Sequence, residues 1–129
     1  LLVPNVKDVQ KRSILEIAAE VSRLTDAARS GIINIAELRG GTITISNIGA
    51  IGGISAPPII NSPEVAIVAL GKIQDLPRFN SDNQIISRKI MSVSWSGDHR
   101  VIDGATIARF NNCWKAYLEN PNTMLATMV

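Results

Sequence analysis

Ile85-Ile86-Ser87-Arg88-Lys89-Ile90-Met91-Ser92-Val93-Ser94-Trp95-Ser96-Gly97-Asp98-His99-Arg100-Val101-Ile102-Asp103-Gly104 is the stretch on which the reading of the fold turns. Met91, Val93 and Trp95 alternate with Ser92, Ser94 and Ser96, a period of two that predicts a strand over Ile85 to Ser96. One face of that strand is apolar and the other polar. A loop then leads to Asp103-Gly104, which opens a helix. Ile107, Phe110, Trp114, Tyr117 and Leu118 follow at helical spacing and make its apolar stripe. That register assigns Phe110 and Trp114 to a core rather than to ligand stacking, and Asn120-Pro121 ends the helix.

Upstream, Glu64 to Ile73 is apolar on both faces, as expected of a central buried strand. Asp75 to Asn83 reads as a turn region. Thr42 to Asn47 alternates, with Ile43 and Ile45 on one face and Thr42, Thr44 and Ser46 on the other. Gly49 to Pro58 is loop chemistry, rich in glycine and closed by Pro57-Pro58. Ser13-Ile14-Leu15-Glu16 has the form of a capping box. A helix follows through Ile14, Ile17, Ala18, Val21 and Leu24, with Gly31 as its stop. Asn34 caps a second helix that Gly40-Gly41 limits to a turn or two. Leu1 to Val6, interrupted by Pro4, is expected to be an edge or terminal strand. The order strand, helix, three strands, helix predicts an α/β or α+β two-layer sandwich, with helices packed on a mixed sheet.

Composition narrows the function. The 129 residues are 46% apolar and 19% charged with a net charge of +2, which excludes a disordered chain. Thirteen basic residues are scattered among eleven acidic ones, so no basic stripe points to nucleic acid. No apolar run approaches the ~18 residues of a membrane span. Cys113 is the sole cysteine and cannot form an internal disulfide. With His99 it leaves only two of the four ligands a structural zinc needs, so no metal site is expected. The phosphate-loop and dinucleotide fingerprints are absent, and Ser46 lacks the flanking glycines of a nucleophile elbow. Leu1-Leu2-Val3 reads like the middle of a strand, and the sequence is expected to be part of a longer chain.

His99 is the only histidine. An imidazole titrates near neutrality and can take a proton from a thiol or hydroxyl and return it to a leaving group. Asp103, four residues on, holds the ring or a nearby cation, or is an ordinary helix N-cap; spacing leaves both readings open. Ser46, before Asn47 and the glycine loop, is either a turn-forming serine or a donor to a developing oxyanion. Cys113 sits beside the apolar stripe and reads as a packed thiol.

His99-Arg100-Val101-Ile102-Asp103-Gly104 resembles the H-R-x-x-D-G signature of the dihydrolipoamide acyltransferases of 2-oxoacid dehydrogenase complexes. Ser94-Trp95-Ser96-Gly97-Asp98, Ala105-Thr106-Ile107-Ala108-Arg109-Phe110, Gly41-Thr42-Ile43-Thr44-Ile45-Ser46-Asn47-Ile48-Gly49, Ile51-Gly52-Gly53 and Ser62-Pro63-Glu64-Val65-Ala66-Ile67 resemble the same family, in order along the chain. Leu76-Pro77-Arg78-Phe79-Asn80 and Trp114-Lys115-Ala116-Tyr117-Leu118-Glu119-Asn120-Pro121 are most similar to its branched-chain type, with Gly97 standing where that pattern has alanine.

The resemblance implies a chloramphenicol-acetyltransferase-like fold of which residues 1–129 are the C-terminal part. The lipoyl domain, the subunit-binding domain and the first half of the catalytic domain would lie outside this chain. It implies acyl transfer between dihydrolipoamide and coenzyme A, with acetyl transfer in a pyruvate complex, or a scaffold chain of the same fold, as alternatives. His99 would be the base and Ser46 the oxyanion donor. Asp103 would orient the loop through a cation, Arg100 or one outside this chain. Ser46, Asn47 and the backbone around Gly71 and Ile73 would contact coenzyme A. The lipoyl group would be carried on the absent domain. The implied partners are two further copies in a trimer, a larger cubic or icosahedral core, and the decarboxylase and dihydrolipoamide dehydrogenase components. The implied location is the mitochondrial matrix or the bacterial cytoplasm.

Overall fold

The computed structural model describes residues 1–127. Residues 42–107 form one compact unit, and residues 1–41 together with those from Ala108 onward form another.

The first unit is built on three strands, β1 (Thr44–Asn47), β2 (Ala66–Phe79) and β3 (Ile85–Gly97), in the order β1-β2-β3. β1 runs parallel to β2, with Thr44 opposite Ile67 and Asn47 opposite Leu70. β3 runs antiparallel to β2, from Ala66 opposite Gly97 to Phe79 opposite Ile85. The sheet is therefore mixed, as the sequence predicts. β2 is central because Ile67, Val68 and Ala69 offer apolar side chains to both faces, and all three are buried. Thr44 is the one buried polar residue among those described, and its hydroxyl donates to the Glu64 carboxylate. On β1 it is thus Thr44 that turns inward, while Ile43 and Ile45 are exposed.

Two expectations need correction here. Asp75 to Asn83 is not a turn region, because β2 continues to Phe79 and the turn is confined to the residues between Asn80 and Gln84. The antiparallel ladder carries it: Asp75 faces Lys89, whose ammonium donates to the carboxylate at 3.0 Å. Past Leu70, β2 is paired with β3 alone, the edge setting in which a strand proline such as Pro77 is tolerated. Leu1 to Val6 forms no strand either. The amide of Asn5 donates to the Glu37 carbonyl and its side chain to the Arg39 carbonyl, so the segment is tied to a helix end instead.

The second unit carries α1 (Ile14–Arg29), α2 (Ile35–Leu38), most of α3 (Gly104–Glu119) and α4 (Pro121–Thr127). Both predicted N-terminal signals are realised. The Glu16 amide donates to the Ser13 hydroxyl at 3.3 Å, and the Ser13 amide donates to the Glu16 carboxylate at 2.7 Å. Asn34 and Glu37 form the same reciprocal pair ahead of α2. These bonds hold the Glu16 and Glu37 carboxyls below their ordinary pKa. Asn120-Pro121 ends α3 as expected, but Pro121 then occupies the first position of α4, where its missing N–H costs nothing.

The apolar stripes are present yet largely uncovered. Leu24 is the only buried residue of α1, and α3 buries none. Phe110 is 53% and Leu118 51% exposed, which corrects the core role expected for Phe110; Cys113 is likewise exposed rather than packed.

Candidate functional site

β3 ends at Gly97, where the first turn of α3 comes close. A Cβ there would meet the Ile107 Cδ1 at 2.6 Å, the movable end of a side chain. The alanine of the family pattern is thus accommodated by a small shift of Ile107, and the glycine alters no polar group.

The turn that follows is organised by Asp98. Its amide donates to the Val65 carbonyl at 2.9 Å, and its own carbonyl accepts from Val101 and Ile102, both at 2.9 Å. Its carboxylate accepts from the Arg100 amide at 3.0 Å and from the Arg100 guanidinium at 2.6–3.1 Å. These bonds pull the Asp98 carboxyl down to about 2. His99 stands at the crest of this turn with its ring exposed. The Asp103 carboxylate accepts from the Thr106 amide at 2.6 Å and so caps α3. The Thr106 bonds, with a smaller contribution from the charge of His99, hold the Asp103 carboxyl below its ordinary value. Arg100 is therefore the partner of Asp98, not of Asp103.

Ser46 and Asn47 lie elsewhere on the same sheet. Ser46 is half-buried on β1 opposite Ala69, and Asn47 accepts from the Ala50 amide at 3.2 Å through its side chain. Next to them β2 bulges: Leu70 pairs with Val93 but Ile73 pairs with Met91, so two residues of β2 oppose one of β3. The bulge opens a groove of about 270 Å³ lined by Asn47, Gly49, Ala50, Leu70, Gly71, Lys72, Ile73 and Met91. Its floor is backbone on backbone. A Cβ on Gly71 would sit 1.9 Å from the Ile54 carbonyl oxygen, and one on Gly49 would sit 2.6 Å from the Gly71 carbonyl. The Lys72 amide donates to the Gly53 carbonyl at 2.7 Å, which pins the bulge.

The structure thus gathers Asn47, Gly71 and Ile73 into one groove beside Ser46, and places His99 and Asp103 at another end of the sheet. Gly97 pairs at the level of Ala66 and Ser46 at the level of Ala69, on strands that flank β2 from opposite sides. They are therefore about 10 Å apart along the strands and about 10 Å across them. Asp98 and Lys72 were not singled out by sequence reasoning; the adjacency of Asp98 to the lone histidine was the available signal. Among the described residues no cluster of His, Cys, Asp and Glu could hold a metal ion, and no helix is long and apolar enough to cross a membrane.

The family model of the 2-oxoacid dehydrogenases acyltransferase (catalytic domain) matches residues 1–126. The chain belongs to that family. This acyltransferase-family chain is 58% identical, over 97% of its length, to the mitochondrial lipoamide acyltransferase component of the branched-chain alpha-keto acid dehydrogenase complex of Bos taurus, and covers 26% of that protein. It superposes with a TM-score of 0.90 on the dihydrolipoamide acetyltransferase of Azotobacter vinelandii, at 36% identity, covering 96% of this chain and 51% of that one. Work on that enzyme concerns a serine, a histidine and, four residues later, an asparagine in its catalytic mechanism. A structure of the cubic core of the pyruvate dehydrogenase multienzyme complex matches equally, with a TM-score of 0.90, 37% identity, and 96% and 51% of the two chains. The acyltransferase-family chain spans about a quarter of the curated relative and half of the solved chains.

Proposed function

We propose that residues 1–129 are the C-terminal part of the catalytic domain of a branched-chain dihydrolipoamide acyltransferase, which moves an acyl group between dihydrolipoamide and coenzyme A. The observation that carries this reading is one sheet holding the exposed His99 on a fixed turn beyond the end of β3 and, about 10 Å along the strands, a backbone-lined groove beside Ser46. The work on the Azotobacter enzyme concerns a serine, a histidine and an asparagine four residues after it, which supports assigning the chemistry to Ser46 and His99. Asp103, four residues after His99, is an aspartate where that enzyme has asparagine. The identity of 58% to the bovine branched-chain protein, against 44% to the acetyltransferase component of the pyruvate dehydrogenase complex of Staphylococcus epidermidis, favours branched acyl groups over acetyl.

A thiol with a pKa of ~8.5 is mostly protonated at neutral pH and weakly nucleophilic. His99 removes the thiol proton as sulfur attacks the thioester carbonyl. The carbonyl oxygen takes the negative charge of the tetrahedral intermediate, and the Ser46 hydroxyl donates a hydrogen bond to it. Collapse breaks the other carbon–sulfur bond, and the departing thiolate takes the proton from His99. One imidazole serves both directions. Asp103 fixes the start of α3 just beyond the turn through the bond from the Thr106 amide. Coenzyme A contacts fall to Ser46, Asn47 and the backbone at Gly71 and Ile73. The dihydrolipoyl group arrives on a domain outside residues 1–129.

Because the register keeps His99 and Ser46 apart within one chain, the working site pairs His99 of one copy with Ser46 of another. A trimer within a larger core satisfies this, with the decarboxylase and dihydrolipoamide dehydrogenase components as partners. The mitochondrial name of the bovine relative supports the mitochondrial matrix as the location, with the bacterial cytoplasm as the alternative. A scaffold chain of the same fold is the second reading, and the presence of Ser46, His99 and Asp103 together disfavours it.

The test is acyl transfer from isobutyryl-, isovaleryl- and acetyl-coenzyme A to dihydrolipoamide, measured on the full-length protein. Branched donors are expected to turn over fastest. A protein that assembles but transfers nothing leaves the scaffold.

A further inference from the structure

We propose that Asp98, through its side chain, is the residue that positions His99 for proton transfer. This rests on the acyltransferase reading given above and names a group that reading does not use.

The turn places His99 between two fixed points of a single residue. The Val101 amide donates to the Asp98 carbonyl at 2.9 Å, which makes residues 98–101 a β-turn with His99 as its first central residue. The Asp98 carboxylate accepts from the Arg100 amide at 3.0 Å, the Asx-turn arrangement in which an aspartate reproduces a backbone turn two residues ahead. The two bonds enclose the His99 backbone from both sides and fix the direction in which its side chain leaves.

The anchor of the turn is separate from the clamp. The Asp98 amide is tied to Val65, just ahead of the central strand, and that bond and the Val101 and Ile102 bonds are all made by Asp98 backbone atoms. They persist whatever side chain stands at position 98. Among the described residues the hydrogen bonds of the carboxylate run to Arg100, and the Asp98 side chain is 19% exposed where that of Arg100 is 89% exposed. With the Arg100 side chain so open to water, its guanidinium holds the turn less firmly than the backbone does. The bond from the Arg100 amide is the structurally committed one, and it is the one that acts on His99. Removing the carboxylate therefore loosens the imidazole without dissolving the turn.

The experiment is steady-state acyl transfer by the full-length protein, with position 98 varied and assembly checked by mass. Asp98→Ala is expected to lower kcat by about 10–100-fold, as a displaced reacting group does, with KM for coenzyme A and for dihydrolipoamide unchanged. Asp98→Asn keeps an acceptor for the Arg100 amide and should stay within about 5-fold of the parent. Asp98→Ser, whose hydroxyl accepts more weakly, should fall between them. If the alanine variant does not assemble, the order of the asparagine and serine variants decides. In a His99→Ala background, Asp98→Ala should cause no further loss, because both changes remove the same function. Asparagine as poor as alanine, a rise in KM in place of the fall in kcat, or a multiplicative loss in the double variant would each overturn the proposal. A parent protein without transfer activity fails the acyltransferase reading itself; an active parent that loses activity with His99→Ala but is indifferent to position 98 fails this inference alone.

Discussion

The His99 turn and the Gly71 bulge belong to the same three-stranded sheet, and only the turn uses side chains to hold its shape. The turn is polar and open, and on a backbone anchor at Asp98 it adds side-chain clamps: the Asp98 carboxylate on Arg100 and the Asp103 carboxylate on Thr106. The bulge is built by backbone meeting backbone, where Gly49 and Gly71 leave no room for a Cβ and the Lys72 amide closes on Gly53. A reacting group has to be aimed, and side-chain hydrogen bonds aim it. A groove for a ligand has only to keep its width, and main-chain packing sets that.

The sharpest way to break this contrast is to remove the aimed group. His99→Ala should lower kcat for acyl transfer by about 10²–10⁴-fold while the folded assembly keeps its mass and melting temperature. A melting temperature that fell as steeply as the rate would make the turn a structural element, not a chemical one. Ser46→Ala comes next, with an expected loss of about 10²–10³-fold in kcat and little change in stability, read by the same assay. An effect confined to KM for coenzyme A would move Ser46 from the chemistry to the groove.

Gly71→Ala probes the other region and should act in the reverse manner. The added methyl meets the Ile54 carbonyl, a backbone atom that cannot swing away, so a loss of about 1–3 kcal/mol in stability is expected by denaturant titration. KM for coenzyme A should rise with it. The smallest effect belongs to the acid side of the turn. The Asp98 carboxyl is depressed in the folded state from 3.8 to about 2, so its contribution is complete above the ordinary carboxylate pKa and is lost as pH falls through about 2. Following the Asp98 carboxyl by NMR between pH 5 and pH 1.5 should show protonation only near the bottom of that range. A midpoint near 4 would mean that the carboxylate does not hold Arg100.

The same contrast explains what could be read from the residues alone. The Ser13 capping box, the Asn34 cap and the N-cap reading of Asp103 were legible because each is a side chain at a telling spacing. His99 stood out as the lone histidine. The central strand was legible because Ile67, Val68 and Ala69 leave no polar face. The groove residues Asn47, Gly71 and Ile73 came only through the family resemblance, since a bulge changes which backbone atoms are free and marks no particular side chain. The outer part of β2 was misread because Asp75, Pro77 and Arg78 look like turn chemistry, whereas pairing with β3 supplies what the local sequence does not. Leu1 to Val6 erred the other way: its apolar residues suggest a strand, but no neighbouring edge receives it. Phe110 and Cys113 lie on a helix whose period was correct. What periodicity cannot say is whether a face that is able to be buried finds anything in the chain to cover it.

The extra residue in β2 also changes the parity of everything downstream. Up to Leu70 the even- and odd-numbered positions keep one assignment of sides, and from Ile73 onward they exchange it. Ile73 and Phe79 therefore share a side with Val68, not with Ile67. Loss or gain of a single residue between Leu70 and Ile73 would invert the whole outer hairpin while leaving its composition untouched.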